Sequence, residues 1–155
     1  MFTSVPAFID AWAHETKATA GVLDSLVDSR LGFVTPGFGR SVGELGWHIV
    51  TALREIGGRA GIPVDGPGRE TAVPLDAFTI AATHQRAAAS IKMGVLEWDD
   101  SELTAIVDVY GEPWTKGRTL YVLIGHEVHH RGQMTVLLRL AGLPVPDTYG
   151  PAGPS

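Results

Sequence analysis

Four long segments with helical periodicity, separated by glycine- and proline-rich breaks, constrain what this chain can fold into. They span about 5–31, 41–58, 75–98 and 115–141, and their apolar residues recur every three or four positions, as along one face of a helix. The break at 61–68 is rich in glycine and proline, which disfavour both helix and strand. No convincing strand alternation and no internal repeat is found. The sequence therefore predicts an all-α protein, an antiparallel four-helix bundle with long Gly/Pro-rich loops.

Residues that commonly begin or end helices lie near the predicted boundaries. Ser4 is placed to cap the first helix, and Ser41 with Glu44 forms an S-x-x-E capping box at the start of the second. Gly142 and Pro144 follow the fourth segment and are typical of helix termination. These local signals support the boundaries that the apolar pattern indicates.

Two regions outside these segments are predicted to be non-helical. β-Branched residues in 99–113 favour an extended stretch or a short turn, and the proline- and glycine-rich residues 144–155 favour an extended C-terminal tail. A length of 155 residues suits one hydrophobic core. We therefore predict a single helical-bundle domain that covers 1–155.

Composition and charge exclude several classes of function. The chain has no cysteine, which excludes disulfides and thiolate metal sites. Its net charge of -5 argues against nucleic-acid binding, which depends on clustered Lys and Arg. The N-terminus lacks the basic residues of a signal peptide, and no apolar run is long enough to span a membrane. We expect a cytoplasmic protein with no nucleic-acid or membrane partner.

The segment Gly125–Gln133 carries the most specific chemical signal. His126 and His130 are four residues apart, so on a helix their side chains lie one turn apart on the same face. They share that face with Leu123 and Leu137, on the stripe expected to face the core. Two basic groups in such an apolar setting must stay neutral or find a partner. A bound divalent ion would be a partner for both imidazoles, because neutral imidazole is a good ligand for zinc, nickel and copper.

The second helix offers a third imidazole for the same ion. His48 lies at the edge of that helix's apolar stripe, with Glu44 one turn earlier. Glu44 is placed to accept a hydrogen bond from a ligand imidazole, although its role in the capping box is the favoured interpretation. Three ligands predict an open site, because a fourth coordination position remains for water or substrate.

The remaining histidines are weaker candidates. His129 points about 100° away from His130 on the same helix, so the two side chains do not readily share an ion. His84 lies in an alanine-rich stripe. It is predicted to be a core histidine with one hydrogen bond, in preference to a residue beside the metal site or a fourth metal ligand. His14 is predicted to lie on the surface.

These residues resemble the pattern of the DinB/YfiT-like family of metal-binding four-helix bundles. The likeness covers essentially the whole chain and rests on Trp47-His48, His126-x-x-x-His130-Arg-Gly-Gln133 and the closing Gly142-Leu-Pro-Val-Pro-Asp147. By this resemblance, His48, His126 and His130 hold one nickel or zinc ion per chain, with water completing the shell. The resemblance also implies a homodimer.

The resemblance further implies an activity. Related enzymes of the superfamily use the metal to activate a low-molecular-weight thiol, such as bacillithiol or mycothiol, for S-transfer or isomerisation. An open site on a Lewis-acidic ion suits this chemistry, because it lowers the pKa of the thiol and so produces the nucleophile. Arg131 and Gln133 follow the second ligand as in the family. Gln133 falls close to the ligand face, whereas for Arg131 a surface or interhelical ion pair is an equal alternative to substrate contact.

Two other functions are compatible with the sequence. The residues His126 to His130 match the H-E-x-x-H motif of metallopeptidases, in which Glu127 is the general base. Tyr149, in a downstream segment that could supply a third ligand, is a further candidate beside the site. Against a peptidase, the chain has no obvious edge strand for substrate, and Glu127 points about 100° from His126. The other alternative is a non-enzymatic metal-binding or stress-related interaction bundle.

Overall fold

A computed structural model of the chain describes residues 1–153, so the last two positions of the predicted 1–155 domain lie outside it. Within the described residues the four helices are α1 (Val5–Leu23), α2 (Val42–Arg59), α3 (Ala77–Leu96) and α4 (Lys116–Leu140). The predicted all-α helical bundle is therefore confirmed. The boundaries of α2, α3 and α4 fall within two residues of those predicted.

Two apolar clusters form the core and fix the directions of the helices. One cluster joins the first halves of α1 and α4 to the second halves of α2 and α3, through side chains that include Phe8, Leu120, Ile56 and Ile91. The other joins the opposite halves, through side chains that include Leu23, Leu137, Leu45 and Ile80. Consequently α1 and α4 run in one direction, and α2 and α3 in the other. Helices α2 and α4 pack side by side and antiparallel, which forms the seam in which the histidines lie.

Helix α1 ends at Leu23, eight residues before the predicted boundary near residue 31. After a turn, residues 28–30 form a short 3₁₀ helix. The Asp28 carboxylate there accepts a hydrogen bond from the backbone N–H of Ala77 at 2.8 Å, and the side chains of Leu26 and Leu31 are buried in the second cluster. The apolar spacing continues past Leu23, but the chain leaves the helix because these residues pack against other elements.

A β-hairpin occupies the region that was predicted to be extended or turn-like. After a 3₁₀ helix at Asp100–Thr104, strand β1 (Ile106–Val109) pairs antiparallel with β2 (Glu112–Thr115). The two residues between the strands, Tyr110 and Gly111, have φ values of 57° and 86°. Positive φ at both positions suits the twist of a tight hairpin, although tyrosine seldom adopts it. The sequence predicted extended backbone in this region, but it did not predict that two strands would pair as a hairpin.

The C-terminal tail lies against the bundle but bends at residues 148–150 instead of staying extended as predicted, because the Asp147 carboxylate accepts a hydrogen bond from the backbone N–H of Ala152. Its Tyr149 hydroxyl donates a hydrogen bond to the Glu15 carboxylate on α1 at 2.7 Å, and the backbone oxygen of Ala152 accepts one from Arg139 on α4 at 2.5 Å. None of the helices within residues 1–153 combines the length and the apolar character that a membrane span requires.

Candidate metal centre

The seam between α2 and α4 brings His48, His126 and His130 together. One ring nitrogen of each lies within 4.8 Å of one in the other two, and the ring centroids are 4.4–5.1 Å apart. In a tetrahedral zinc site with Zn–N bonds of about 2.05 Å, ligand nitrogens are separated by about 3.4 Å. Small rotations of the imidazoles are therefore enough to place three nitrogens on one ion.

The two helices position these side chains by simple periodicity. His126 and His130 lie one turn apart on α4, and His48 faces them from the middle of α2. Beside His48, the Trp47 indole donates a hydrogen bond to the backbone oxygen of Thr71 at 2.9 Å, which ties this part of α2 to the loop before α3. The cluster therefore rests on two rigid elements rather than on a loop.

The cluster lies at the rim of the seam rather than deep in the core stripe that the sequence predicted. His130 is 8% exposed, and His48 and His126 are half-buried. The leucines on the same stripe of α4, Leu123 and Leu137, are fully buried. This position shields the imidazoles from most of the solvent, while His48 and His126 remain partly exposed at the rim.

Gln133 orients one of the three imidazoles. Its side-chain oxygen lies 2.7 Å from His130 Nδ1, so it accepts the Nδ1–H. In the neutral ring, this leaves the lone pair on Nε2. His130 Nε2 faces His48 Nε2 at 3.1 Å, which means that the lone pair is directed into the cluster. Gln133 is thus the hydrogen-bonded partner that a ligand histidine usually has.

The surroundings keep the imidazoles neutral. Burial, together with the nearby His130, lowers the pKa of His48 from its ordinary value of 6.5 to about 4. Burial, with His130 and His48, likewise lowers the pKa of His126 to about 4. Burial also lowers the pKa of His130, although the hydrogen bond that its Nδ1–H donates to Gln133 acts in the opposite direction. Because only the neutral ring can ligate, the three side chains are ready to bind a cation at neutral pH.

Glu55 is a neighbour of the site that the sequence reasoning missed. Its negative charge raises the pKa of both His48 and His126, although less than burial lowers them. The Glu55 carboxylate also accepts a hydrogen bond from the Tyr110 hydroxyl at 2.6 Å, and the guanidinium of Arg59 lies 4.1 Å from the Tyr110 ring centroid. The sequence could have indicated this position, because residues seven apart lie on the same face of a helix and Glu55 follows His48 by seven.

Three other predicted neighbours lie elsewhere. Glu44 is engaged in the capping box with Ser41, whose backbone N–H it accepts at 2.7 Å, and is not a partner of a ligand imidazole. Arg131 donates to the Glu15 carboxylate at 2.6 Å, and Tyr149 donates to the same carboxylate. The side chains of Arg131 and Tyr149 therefore face α1. The interhelical ion pair considered for Arg131 and the capping role favoured for Glu44 are confirmed, whereas Tyr149 contacts α1 instead of the three-histidine cluster.

The remaining histidines are placed as expected. His84 is buried and its Nε2 donates to the Glu127 carboxylate at 2.9 Å, as predicted for a core histidine with one hydrogen bond. His129 lies on the exposed side of α4 and contacts the amide of Gln133. His14 is exposed and stacks on the Tyr149 ring. None of these three belongs to the three-histidine cluster found among residues 1–153.

The pairing of Glu127 with His84 also bears on the H-E-x-x-H motif. A metallopeptidase needs its glutamate beside the metal, where it acts on the bound water. Here the Glu127 side chain is 1% exposed and is directed to α3. The geometry therefore does not support a metallopeptidase.

The donor set fits a divalent transition-metal ion. Three neutral imidazoles converge, one of them is held by a hydrogen bond to its second nitrogen, and no fourth His, Cys, Asp or Glu joins the cluster within the described residues. Nitrogen ligands suit zinc and nickel rather than magnesium or calcium, which prefer oxygen. His48, His126 and His130 are thus the residues that would hold such an ion.

Comparison with known proteins gives a consistent picture. A sequence model of the DinB family matches residues 1–155. The uncharacterized protein YrdA of Bacillus subtilis strain 168 is 36% identical over 153 residues, which cover 98% of this chain and 92% of YrdA. The crystal structure of a DinB-like protein from Bacillus cereus ATCC 10987 is 38% identical, has a TM-score of 0.90 and covers 96% of this chain and 100% of that one.

A second solved structure shares the fold alone. The DinB-like protein YjoA of Bacillus subtilis is 18% identical and superposes with a TM-score of 0.74, over 93% of this chain and 98% of its own. The full-length match to the family, the identity with YrdA and the arrangement of the helices agree. The chain therefore belongs to the DinB family.

Proposed function

We propose that His48, His126 and His130 hold one nickel or zinc ion per chain, and that the protein uses this ion to activate a low-molecular-weight thiol for transfer to an electrophile. The convergence of three imidazoles from two helices, with nitrogens within 4.8 Å of one another, carries the proposal. When bound, a divalent ion with an open position supplies Lewis acidity that lowers the pKa of a thiol placed there. Thiols of the bacillithiol and mycothiol type are the substrates that the family resemblance implies.

The chain's own residues have distinct parts in this proposal. Gln133 holds the His130 ring in the tautomer that directs Nε2 inward. Glu55 adds a carboxylate beside the cluster, and the Tyr110 hydroxyl fixes that carboxylate with a hydrogen bond. The half-buried position of His48 and His126 leaves an approach for a small substrate from the open side of the seam.

Two features of the cellular setting belong to the proposal. Low-molecular-weight thiols stay reduced in the cytoplasm, where we place the protein. The family resemblance implies a homodimer, which sedimentation at micromolar concentration would detect as a species of twice the 16.5 kDa chain mass.

Metal content is the first test. We expect close to one nickel or zinc per chain in freshly purified protein by elemental analysis, and loss of that metal in the His126→Ala and His130→Ala variants. His14→Ala is the matched control, because His14 is exposed and outside the cluster. Wild-type protein that contains no metal and takes up neither added nickel nor added zinc would rule out the metal centre.

Thiol chemistry is tested separately. We expect metal-dependent conjugation of monochlorobimane with at least one member of a panel of low-molecular-weight thiols, and no such rate in His130→Ala. A metal-loaded protein that conjugates none of the thiols would leave the centre in place and favour the non-enzymatic metal-binding alternative. We expect no hydrolysis of unfolded casein, because Glu127 is hydrogen-bonded to His84 and so is not placed to act as a general base at the proposed metal.

A further inference from the structure

The β-hairpin contacts both helices of the seam in which the three histidines lie. Strand β1 packs against α2 and α4, the helices that supply the imidazoles. From the hairpin turn, the Tyr110 hydroxyl reaches α2 and donates a hydrogen bond to the Glu55 carboxylate at 2.6 Å. The hairpin therefore holds an acidic side chain on the helix that carries His48.

Tyr110 is conformationally unfavourable at its place in the turn. Its φ of 57° lies in the left-handed region, which glycine, asparagine and aspartate adopt more readily than tyrosine does. The turn alone would favour one of those residues, so what a tyrosine adds at this position is its side chain, which contacts Glu55 and Arg59. Backbone strain of this kind occurs most often beside functional sites.

The negative charge of the Glu55 carboxylate is not compensated by a neighbouring cation. Arg59 lies one turn later on α2, at the spacing at which a glutamate and an arginine commonly form an ion pair. Its guanidinium carbon instead lies 4.1 Å from the centroid of the Tyr110 ring, and no ion pair within 4.0 Å joins Glu55 to any cation of residues 1–153. Tyr110 occupies Oε1 of the carboxylate, which leaves Oε2 available to a ligand.

Glu55 is placed to act on a molecule bound at the three-histidine cluster. It follows His48 by two turns on the same face of α2, a rise of about 10 Å between their Cα atoms. Side chains lean towards the N-terminus of their helix, so the Glu55 side chain leans towards His48. Burial is the larger influence and lowers the pKa of His48 and His126, but the charge of Glu55 raises both values. The carboxylate therefore acts electrically on the cluster.

We propose that Glu55, held by Tyr110, binds an ammonium group of the thiol substrate, and that the chain therefore prefers thiols that carry a primary amine. This inference rests on the function proposed above and narrows its substrate class. Primary amines are protonated at neutral pH, as lysine is, and an ammonium–carboxylate hydrogen bond is stronger than one between neutral groups. Attachment through sulfur at the cluster and through nitrogen at Glu55 would orient a small thiol.

Thiol binding to the cobalt-loaded chain tests the proposal, because coordination of a thiolate to cobalt(II) gives an absorption band in the near ultraviolet. Three small thiols serve as probes: cysteamine carries an ammonium group, 2-mercaptoethanol is neutral and 3-mercaptopropionate carries a carboxylate. Because these thiols also differ in acidity, the quantity to compare between variants is the ratio of the cysteamine affinity to the 2-mercaptoethanol affinity.

Glu55→Gln is the decisive variant, because the amide oxygen still accepts the hydrogen bond from Tyr110 while the charge is removed. We expect the affinity ratio to fall about tenfold, the contribution of one hydrogen bond to a charged group. Glu55→Lys should shift the preference towards 3-mercaptopropionate, which a purely structural role of Glu55 would not do. Glu97→Gln removes an exposed charge at the end of α3 and should leave the ratio unchanged. Circular dichroism and cobalt content verify that each variant is folded and loaded.

The outcomes separate this inference from the function on which it rests. If no thiol produces the cobalt band in the wild type, thiol activation at the cluster and the ammonium site are both wrong. If the thiols bind but the ratio is the same in Glu55→Gln and the wild type, the ammonium site is wrong and thiol binding stands. An equal fall in Glu97→Gln would show a long-range effect of net charge, which also contradicts a contact with Glu55.

Discussion

The side chain of Gln133 distinguishes the two neighbouring histidines of α4. Its oxygen accepts the Nδ1–H of His130 at 2.7 Å, and its amide nitrogen contacts Nε2 of His129 at 3.2 Å. A glutamine oxygen accepts and its amide nitrogen donates, so His130 is left with an inward lone pair while the lone pair of His129 is already engaged. One amide thereby separates the proposed ligand from its exposed neighbour.

We predict that Gln133→Ala weakens metal binding by about 10–100-fold, the usual effect of removing the partner of a ligand histidine. Gln133→Glu keeps an acceptor for His130 Nδ1–H and should retain most of the affinity. Competition titration with a zinc chelator measures both. Gln85→Ala, at an exposed position on α3, is the control. Equal zinc affinity for Gln133→Ala and the wild type would contradict the orienting role.

The depressed pKa values of His48 and His126 predict how the stability of the metal-free chain depends on pH. Both groups titrate at about 4 in the folded protein, against 6.5 when unconstrained. Between these values the unfolded chain binds more protons than the folded one, so the free energy of unfolding rises with pH across this window and falls as pH drops from 6.5 towards 4. Above about pH 7 the two groups contribute no further dependence.

Urea denaturation at several pH values between 4 and 7 measures this effect. The slope should be shallower in a His48→Gln/His126→Gln variant, which lacks both titrating groups, and unchanged in His14→Gln. A slope that is the same in the wild type and the double variant would show that other groups control the acid response.

The hairpin residue Tyr110 gives a third prediction. Tyr110→Phe removes the hydrogen bond to Glu55 and leaves the ring against Arg59. We expect a loss of about 0.5 kcal/mol in the free energy of unfolding, at the low end for a hydrogen bond because the phenol is largely exposed. Tyr121→Phe is the matched control, since Tyr121 is similarly exposed on α4. Equal stabilities for the two variants would indicate that the Tyr110 contact is not maintained in solution.

The local signals in the sequence were sufficient for most of the fold. The capping box of Ser41 and Glu44 is formed as predicted, and Asp76 caps α3 one residue from the expected start. The end of α1 was missed because its cause is tertiary. The Asp28 carboxylate caps Ala77, 49 residues away, and no short-range pattern indicates such a contact.

The same distinction applies to the site. The spacing of His126 and His130 indicates a shared face from sequence alone, and the predicted third member of the cluster, His48, lies opposite them in the structure. The partner of Glu127 could not be deduced, because His84 lies 43 residues earlier and belongs to a helix on the far side of the core. Helical periodicity predicts on which face of its helix a residue lies, but it does not predict which other helix packs against that face.

The ion pair between Arg131 and Glu15 gives the last prediction. The Arg131 side chain is 3% exposed and that of Glu15 is 12% exposed, and Arg131 also donates to the hydroxyl of Thr19. Arg131→Met leaves the Glu15 carboxylate without its buried cation, so we expect a loss of about 3–5 kcal/mol in the free energy of unfolding. The double variant Arg131→Met/Glu15→Leu should recover part of this, because no unpaired charge remains.

Zinc affinity separates this structural role from a role at the proposed metal centre. Arg131 follows His130 directly in the chain, yet its side chain faces α1, so Arg131→Met should bind zinc with the affinity of the wild type as long as it is folded. Urea denaturation and zinc titration of the same samples test both parts. A variant that keeps its stability but loses zinc affinity would place Arg131 in the site and contradict the ion pair as its main function.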